Sequence, residues 1–278
     1  MSRYGLIAGS GRFPVLALEE ARKLGHDVVV VGIRGEAPAE VESLAATFNW
    51  GFHWVSVAQL GKLIDTLRKE KLTEVVFAGQ VKHVNLFSGM IPDMRLAKLL
   101  MSMPSKNTDA LIGGVIGELA KEGIAVMDST ALLKPLLAGE GAMTRRKPTS
   151  EEEKEIRYGR QIAASLSGFD VGQSVAIAAR ACVALEAMEG TDAMLRRAAS
   201  LANGHRITLV KGSRRRHHLQ FDVPVAGPST IAAMRETNTT VLAVDAGRTL
   251  LLDREEMLVA ADEAGISVVG HQPEDQPL

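Results

Sequence analysis

Four consecutive valines, Val28–Val31, are the segment that most restricts what this chain can fold into. An uninterrupted β-branched run has no polar face, so it predicts a strand, Asp27–Ile33, that is buried on both sides in a parallel sheet. The preceding segment, Phe13–Leu24, has apolar residues at helical spacing and is followed by Gly25, which favours the end of a helix. The first expectation is therefore a parallel sheet with connecting helices.

The rest of the N-terminal half continues this alternation of strands and helices. Strand–helix–strand order implies right-handed crossovers, and it predicts a Rossmann-like parallel βα domain over residues 1–135. The other predicted elements are a strand Tyr4–Ala8, a helix Gln59–Lys69, a third strand Glu74–Ala78, a mainly helical segment Asp93–Lys121 and a last strand Ile124–Met127.

The C-terminal half has a different pattern, which predicts a smaller α/β domain with a mixed sheet over residues 136–278. Two polar stretches, Gly139–Gly141 and Thr144–Glu155, predict a linker at its start. Two hairpins are predicted, Ser174–Ala178 with Cys182–Glu186 and Thr240–Asp245 with Thr249–Leu252. The remaining predicted elements are strands Ile207–Val210 and Gln220–Val223 and helices Asp192–Leu201, Ser229–Arg235 and Glu255–Ala264.

Composition excludes several classes of protein. Apolar residues make up 46% and charged residues 23% of the 278 residues, which is typical of a globular chain rather than a disordered one. The formal net charge of −1 gives no general attraction to nucleic acid, so no nucleic-acid partner is expected. The single cysteine, Cys182, cannot form an intrachain disulfide, and neither a secretory signal nor a membrane-spanning apolar run is found. We therefore expect a cytoplasmic protein.

A glycine-rich turn, Gly9–Pro14, connects the first predicted strand to the first predicted helix. Backbone N–H groups in such a turn, together with the helix dipole, can bind a phosphate. Pro14 stands where the dinucleotide fingerprint has its third glycine. Both a phosphate site and a tight turn without a ligand therefore remain open.

A similar segment, Ala78–Lys82, follows the predicted strand Glu74–Ala78. Ligands of open α/β sheets bind outside the carboxyl ends of the strands, so we expect Gly9 and Gly79 at one crevice. Arg12 and Lys82 then supply cations for a phosphate. The alternative is that these two basic residues lie on ordinary surface loops.

Carboxylates beside turns of the C-terminal half are candidate metal ligands. Glu189 and Asp192 flank Gly190 and can hold Mg²⁺ against a substrate phosphate, whereas Thr191 or Asp192 can equally cap the helix that begins there. Asp222 lies at a predicted strand end, where it is a metal ligand, a water-orienting base or a turn residue. Spacing alone does not decide between these roles.

In the densest basic run, Lys211–His218, the three arginines Arg214–Arg216 are expected in a solvated loop, with phosphate or anionic lipid headgroups as alternative partners. His217 and His218 are adjacent, so on a strand they face opposite sides and do not form a paired metal site.

Taken together and in order, these motifs resemble the LpxI-type UDP-2,3-diacylglucosamine pyrophosphatases of lipid A biosynthesis. The resemblance runs over nearly the whole chain, from Gly5–Gly11 to Gly265–Gly270. Its most specific segments are Asp170–Ser174 and Glu186–Arg197, and Phe221–Pro224 supports them.

The resemblance implies a two-domain enzyme that hydrolyses the pyrophosphate of UDP-2,3-diacylglucosamine with Mg²⁺, giving UMP and 2,3-diacylglucosamine 1-phosphate. It also implies a homodimer, a lipid-linked UDP-sugar held between the domains, and peripheral contact with the cytoplasmic face of the inner membrane. Asp222 matches the Asp of the family's Asp-Leu-Pro motif and is the predicted catalytic residue. The Met- and Leu-rich segment Met94–Met103 is a candidate groove for the acyl chains, or the core of an ordinary helix.

The motifs and the resemblance together give a set of site residues. The predicted metal ligands are Asp222 and Asp192. The predicted substrate-binding residues are Gly11, Arg12, Gly79, Gln80, Lys82, Gln173, Glu189, Gly190, Thr191 and Lys211. The chain departs from the family's sequence pattern in one segment. The family usually has Gln-Asp and then Arg before its Asp motif, where this chain has His217-His218 and then Gln220.

Two alternatives remain at this point. An NAD(P)-dependent oxidoreductase is opposed by Pro14 and by Arg34, which follows the second strand where an acidic residue is expected. A non-catalytic relative that binds a nucleotide-sugar lipid has only the departure at His217-His218 in its support.

Overall fold

The computed structural model describes residues 3–81, 91–103, 108–166, 171–213 and 223–273. The chain divides into two compact units, Met1–Leu133 and Lys134–Leu278, and each unit contains a sheet and helices. The sequence analysis expects the C-terminal unit to be the smaller one. By these bounds it is slightly the longer, because the segment predicted as a linker belongs to its folded structure.

The N-terminal unit is built on a five-stranded parallel sheet with the order β3-β2-β1-β4-β5. Its strands are β1 (Arg3–Ala8), β2 (Asp27–Ile33), β3 (Phe52–Val55), β4 (Glu74–Ala78) and β5 (Ala125–Val126). The valine run Val28–Val31 lies in β2 and none of the four residues is more than 1% exposed, which confirms a strand buried on both faces. The strand order reverses between β1 and β4, the position at which open α/β sheets bind ligands.

Helices connect these strands in the order that the sequence predicts. They are α1 (Phe13–Lys23), α2 (Glu40–Thr47), α3 (Leu60–Lys69), α4 (Met94–Ser102) and α5 (Thr108–Lys121). No sequence pattern predicted α2 or β3, so Glu74–Ala78 is the fourth strand and not the third. The strand β3 is short and only partly buried, and its His53 and Trp54 interrupt the apolar pattern that identifies the other strands.

The C-terminal unit contains a six-stranded mixed sheet with the order β6-β13-β11-β9-β7-β8. Its strands are β6 (Gly141–Ala142), β7 (Ser174–Ala178), β8 (Ala181–Leu185), β9 (Ile207–Lys211), β11 (Thr239–Asp245) and β13 (Ser267–His271); β10 (Val225–Ala226) and β12 (Leu250–Leu251) pair separately. The three strands β9, β11 and β13 run parallel, whereas β7, β8 and β6 pair in antiparallel fashion. The predicted mixed sheet is therefore present.

Four helices complete the described part of this unit: α6 (Ser150–Leu166), α7 (Thr191–Leu201), α8 (Pro228–Glu236) and α9 (Arg254–Glu263). The predicted strand Gln220–Val223 falls almost entirely on residues 214–222, outside the described ranges. Within the described ranges, no helix combines the length and the apolar character needed to cross a bilayer.

The first predicted hairpin is confirmed and the second is wrong. The strands β7 and β8 pair across Ala179 and Arg180, which both have positive φ, as a tight hairpin turn requires. The strand β11, in contrast, pairs with β9 on one side and β13 on the other, so it has no edge left for β12. Instead β12 pairs in parallel with β10. Local alternation identified the strands but carried no information about their partners.

The predicted linker is also wrong, because its last six residues, Ser150–Glu155, begin α6 and Gly141 lies in β6. Three glutamates, Glu151–Glu153, occupy the first turn of α6, where negative charge interacts favourably with the helix dipole. The face that carries Glu152 continues through Ile156, Gly159 and Ala163 and packs on the sheet. A Cβ on Gly159 would lie 2.6 Å from Val210 Cγ2, so this glycine allows the helix to approach β9 closely.

One carboxylate of α6, Glu152, is fully buried and satisfied by a network of donors. Its oxygens lie 2.6 and 2.8 Å from Arg146 Nη2, 2.7 Å from the Thr149 N–H and 2.7 Å from Thr240 Oγ1. Burial alone raises the pKa of Glu152, but the hydrogen bonds from Thr149, Thr240 and Arg146 outweigh burial and lower it. The network fastens the start of α6 to β11.

Removing this carboxylate is expected to destabilise the protein. Glu152→Ala leaves the Arg146 guanidinium without its partner, and we expect the free energy of unfolding in urea to fall by about 3 kcal/mol. Since the folded-state pKa of Glu152 is lowered, its contribution is present above the unfolded pKa and is lost as the pH falls through the folded pKa. The stability difference between wild type and Glu152→Ala should therefore shrink in acid.

Glu151→Ala is the matched control on the same turn. Glu151 is paired with Lys154 and Arg180, which lower its pKa to about 2, but its side chain is 46% exposed. Ion pairs this open to water contribute little to stability. Equal losses in the two variants would contradict the assigned role of the buried network.

Candidate functional site

The turns that follow β1 and β4 meet at the reversal point of the N-terminal sheet. The Ser10 N–H donates to Gln80 O at 2.7 Å, and the Gln80 N–H donates to Ser10 O at 3.3 Å. The Ser10 hydroxyl donates to the same Gln80 oxygen at 2.8 Å. The expectation that the two glycine turns lie at one edge is met, because they are hydrogen-bonded to each other.

Close backbone packing explains two of the three glycines in these turns. A Cβ on Gly9 would lie 2.5 Å from Gln80 O, and one on Gly79 would lie 2.3 Å from Ser10 O. Gly11 differs, since its φ is +88° but no heavy atom lies within 4 Å of its Cβ position. Of these glycines, Gly11 is the one that leaves open space beside the amino end of α1.

The cation predicted at this turn is already engaged by carboxylates. Arg12 is the N-cap of α1, and its guanidinium lies 3.3 Å from Glu40 Oε1 and 3.9 Å from Glu19 Oε1. A phosphate bound here would compete with these exposed ion pairs. The structure thus brings Gly11, Arg12, Gly79 and Gln80 together at one edge of the sheet, whereas Lys82 lies outside the described residues.

The predicted residues of the C-terminal unit converge at another sheet edge. The strands β7 and β9 are antiparallel, and their register places Ser174 at the start of β7 opposite Lys211 at the end of β9. Lys211 is only 7% exposed. The amino end of α7, at Thr191, lies against these two residues.

A chain of hydrogen bonds joins these elements. Lys211 Nζ donates to Thr191 Oγ1 at 3.1 Å, and Thr191 Oγ1 donates to Glu186 Oε1 at 2.8 Å. Ser174 Oγ lies 3.3 Å from Thr191 Oγ1. Glu186 was not among the predicted site residues, although it is 8% exposed and its Oε2 is buried without a hydrogen-bond partner in the described structure. The available signal was a glutamate at the end of an apolar strand.

The amino end of α7 has no side-chain cap. Gly190 is the N-cap, with φ +83° and no side chain, so the alternative in which Thr191 or Asp192 caps the helix is wrong. The Thr191 hydroxyl is instead held by Glu186, Lys211 and Ser174. The first N–H groups of a helix have no intrahelical partners and carry partial positive charge. Lys211 adds a positive charge beside these N–H groups, and Glu186 and Asp192 add carboxylates at the same helix end.

Two other predicted residues have different surroundings. Glu189 forms an ion pair with Arg197, and its own backbone N–H together with Arg197 lowers the pKa of its carboxyl. Gln173 accepts a hydrogen bond from the Gly212 N–H at 2.9 Å through its backbone oxygen. The Gln173 Oε1 atom is buried without a hydrogen-bond partner in the described ranges.

The described residues offer few ligands for a magnesium ion. No three His, Cys, Asp or Glu side chains among them come together as a metal site. Asp192 stands in the first turn of α7, and the other predicted ligand, Asp222, lies outside the described ranges. Because Mg²⁺ at phosphate sites takes one or two carboxylates together with phosphate oxygens and water, this donor set suits an ion shared with a substrate and not a preformed cage.

The segment that carries Asp222, His217 and His218 is not described, but the chain on its amino side is fixed at the same edge. Ser213 donates to Asp245 Oδ2 from its backbone N–H and from its hydroxyl, both at 2.7 Å. Asp245 ends β11, one residue beyond Val244, which is the register partner of Lys211 on β9. Asp245 therefore anchors the chain after β9.

The close contact between the β1 and β4 turns can be tested with alanine. Gly79→Ala places a Cβ against Ser10 O in a left-handed conformation, and we expect the free energy of unfolding to fall by about 3 kcal/mol. Gly11→Ala is the matched comparison, since it has the same positive φ but open space, and should cost about 1 kcal/mol. Equal losses in urea unfolding would contradict the packing account.

Comparison with known proteins covers both units. The model of the LpxI N-terminal domain matches residues 3–144, and that of the LpxI C-terminal domain matches residues 139–269. A relative from Caulobacter vibrioides, named UDP-2,3-diacylglucosamine pyrophosphatase LpxI, is 30% identical over 287 aligned residues that cover 100% of both chains.

Similarity to solved structures is weak. A UDP-glucose-4-epimerase from Stenotrophomonas maltophila is 17% identical with a TM-score of 0.30, over 45% of this chain and 35% of that one. A nucleoside-diphosphate-sugar epimerase from Pseudomonas aeruginosa is 15% identical with a TM-score of 0.28, over 96% and 88% of the two chains. At these TM-scores neither likeness carries an argument. The two domain matches and the full-length relative show that this chain belongs to the LpxI family.

Proposed function

We propose that this chain is a hydrolase that cleaves the pyrophosphate bond of UDP-2,3-diacylglucosamine, giving UMP and 2,3-diacylglucosamine 1-phosphate. Its membership of the LpxI family over both domains supports this reaction. The structural observation that carries the proposal is the buried ammonium of Lys211 at the uncapped amino end of α7. A fixed cation beside helix N–H groups that have no intrahelical partner is suited to a diphosphate.

The residues at the Lys211 edge of the sheet stabilise negative charge on the pyrophosphate. A pyrophosphate bears negative oxygens, and more charge collects on the leaving phosphate as the bridging bond breaks. Lys211 and the amino end of α7 are held in place before the substrate arrives, so they stabilise this charge without reorganising. Gln173, Glu189, Gly190 and Thr191 remain the proposed residues around the substrate here.

Asp222 is the proposed catalytic residue. The oxygen of a water molecule forms a new bond to one phosphorus, the bridging P–O bond breaks, and a proton of the water passes to a base. A carboxylate such as Asp222 can orient the water and accept this proton. Asp222 and Asp192 are also the proposed ligands of Mg²⁺, which when bound offsets negative charge on the phosphoryl oxygens.

The turns of the N-terminal unit supply the other proposed contacts. Gly11 leaves the amino end of α1 open, and Gln80 is fixed beside it through its backbone. Arg12, Gly79 and Lys82 complete the proposed set in this unit.

The first experiment measures UMP release from UDP-2,3-diacylglucosamine by the purified chain. We expect release that requires Mg²⁺ and stops on chelation, and that is abolished in Asp222→Ala. Lys211→Met should lower kcat/KM roughly a hundredfold, because a fixed electrostatic donor is lost from the reacting centre.

Asp27→Ala is the matched control for the loss of an aspartate. Asp27 begins β2, and its half-exposed side chain pairs with Arg3 at the amino ends of the strands, the opposite edge of the sheet from the glycine turns. Its activity should equal that of wild type. Undiminished UMP release in Asp222→Ala, or a rate unaffected by chelation, would contradict the catalytic or the metal assignment respectively. A folded wild type that binds the lipid without releasing UMP would identify a non-catalytic relative.

We also propose that α4 makes the peripheral membrane contact. Met94 and Met101 share one face of this helix and are 75% and 87% exposed, and the preceding Ile91 is 92% exposed. Lys98 lies on the same face. A groove of about 560 Å³ next to Met94 is lined by Lys62, Asp65 and Lys69 among others. Exposed apolar side chains among lysines suit an anionic phospholipid surface, with the lysines at the headgroups.

Vesicle sedimentation tests this contact. The double variant Met94→Ser/Met101→Ser should bind vesicles of phosphatidylcholine and phosphatidylglycerol roughly tenfold more weakly than wild type, because two apolar side chains no longer enter the bilayer. Val259→Ser, at an exposed position of α9, is the control and should bind as wild type does. Unchanged binding of the double variant would contradict the assignment. The homodimer remains a proposal, for which sedimentation equilibrium is the measurement.

A further inference from the structure

Glu186 is a buried carboxylate to which the sequence patterns assigned no role in the site and that the reaction proposed above does not use. It directly follows β8, and its backbone N–H donates to Ser174 O at 2.9 Å, which fixes its position on the sheet. Its side chain reaches across to the amino end of α7, where Oε1 accepts the Thr191 hydroxyl at 2.8 Å. It is therefore separated from Lys211 by a single hydroxyl group.

The hydrogen-bonding capacity of the Thr191 hydroxyl is fully used. A hydroxyl has one proton to donate and two lone pairs with which to accept. The proton goes to Glu186, and the lone pairs face Lys211 Nζ at 3.1 Å and Ser174 Oγ at 3.3 Å. Since an ionised carboxylate only accepts hydrogen bonds, Glu186 determines which atom donates and which accepts in each of these hydrogen bonds. A direct hydrogen bond from this hydroxyl to a substrate would break one of these three contacts.

We propose that Glu186 is a positioning residue for Lys211. By accepting the only proton of the Thr191 hydroxyl, its carboxylate makes Thr191 an acceptor toward the ammonium and holds the ammonium at the amino end of α7. This assignment rests on the proposed function, in which Lys211 meets the diphosphate. Thr191 then contributes through Lys211 and not through its own hydroxyl.

Burial strengthens the hydrogen bonds that connect Glu186, Thr191 and Lys211. Glu186 and Lys211 are 8% and 7% exposed, so water competes little for their hydrogen bonds. In such surroundings each hydrogen bond is stronger than in water, and bonds in a chain reinforce one another. Without Glu186, the Thr191 proton is free to turn toward Ser174, and the hydroxyl is no longer fixed as an acceptor toward the ammonium of Lys211.

A double-mutant cycle on kcat/KM for UMP release tests the coupling. Glu186→Ala and Thr191→Val should each lower kcat/KM roughly tenfold or more, because each breaks the same chain of charge-assisted hydrogen bonds. The double variant should lose no more than the larger single loss, since the second change removes nothing further. Glu186→Gln, whose amide oxygen still accepts from Thr191, should recover most of the loss.

Affinity for UDP, measured by calorimetry, gives a readout that does not depend on turnover. It should fall in Glu186→Ala and in Thr191→Val by similar factors. Glu236→Ala, which removes an exposed glutamate of α8 that pairs with Arg196, is the control and should match wild type in both measurements. Thermal unfolding checks that each variant is folded, and the cycle is run with Glu186→Gln should Glu186→Ala fail to fold.

The outcomes separate the two proposals. An active wild type with an unaltered Glu186→Ala, or single losses that multiply in the double variant, would overturn the role of Glu186 alone. A wild type that neither releases UMP nor binds UDP would overturn the proposed function and this assignment with it. A loss of thermal stability in Glu186→Ala with unchanged kcat/KM and UDP affinity would reduce Glu186 to a structural residue.

Discussion

The ammonium of Lys211 is buried at the end of a central strand, and a charge in that position costs free energy unless hydrogen bonds compensate for it. Much of the C-terminal unit is arranged around this requirement. The antiparallel register of β7 and β9 places Ser174 opposite Lys211, and the end of β8 supplies Glu186. The amino end of α7 then brings a hydroxyl between the two charges. The proposed diphosphate site rests on this arrangement, which the strand pairing fixes in advance.

The N-terminal unit shows how a glycine-rich turn can be required by packing as well as by a ligand. Gly9 and Gly79 allow two backbones to come into hydrogen-bond contact, which a Cβ at either position would prevent. That contact occupies part of the edge at which the strand order reverses. Of the three glycines, Gly11 is the one with open space beside its Cβ position, so a ligand has room to approach the backbone there.

Sequence patterns predicted most of the elements but fewer of their contacts. The valine run and the helical spacing around it are local properties, and β2, β4 and α1 lie where these patterns place them. The second hairpin failed because strand pairing depends on distant parts of the chain, and the linker failed because the charged face of α6 resembles a solvated loop. Glu186 was missed for the same physical reason. Its neighbours are set by the register between β7 and β9 and by the start of α7, which no spacing along the chain reveals.

The central claim is that the diphosphate of the substrate lies against Lys211 and the amino end of α7. A crystal structure of the Asp222→Asn variant with UDP-2,3-diacylglucosamine tests it most directly. The account predicts phosphate oxygens at about 3 Å from Lys211 Nζ and from the first backbone N–H groups of α7, with the contact between Thr191 and Glu186 intact. A diphosphate bound elsewhere, with Lys211 contacting protein atoms alone, would contradict it.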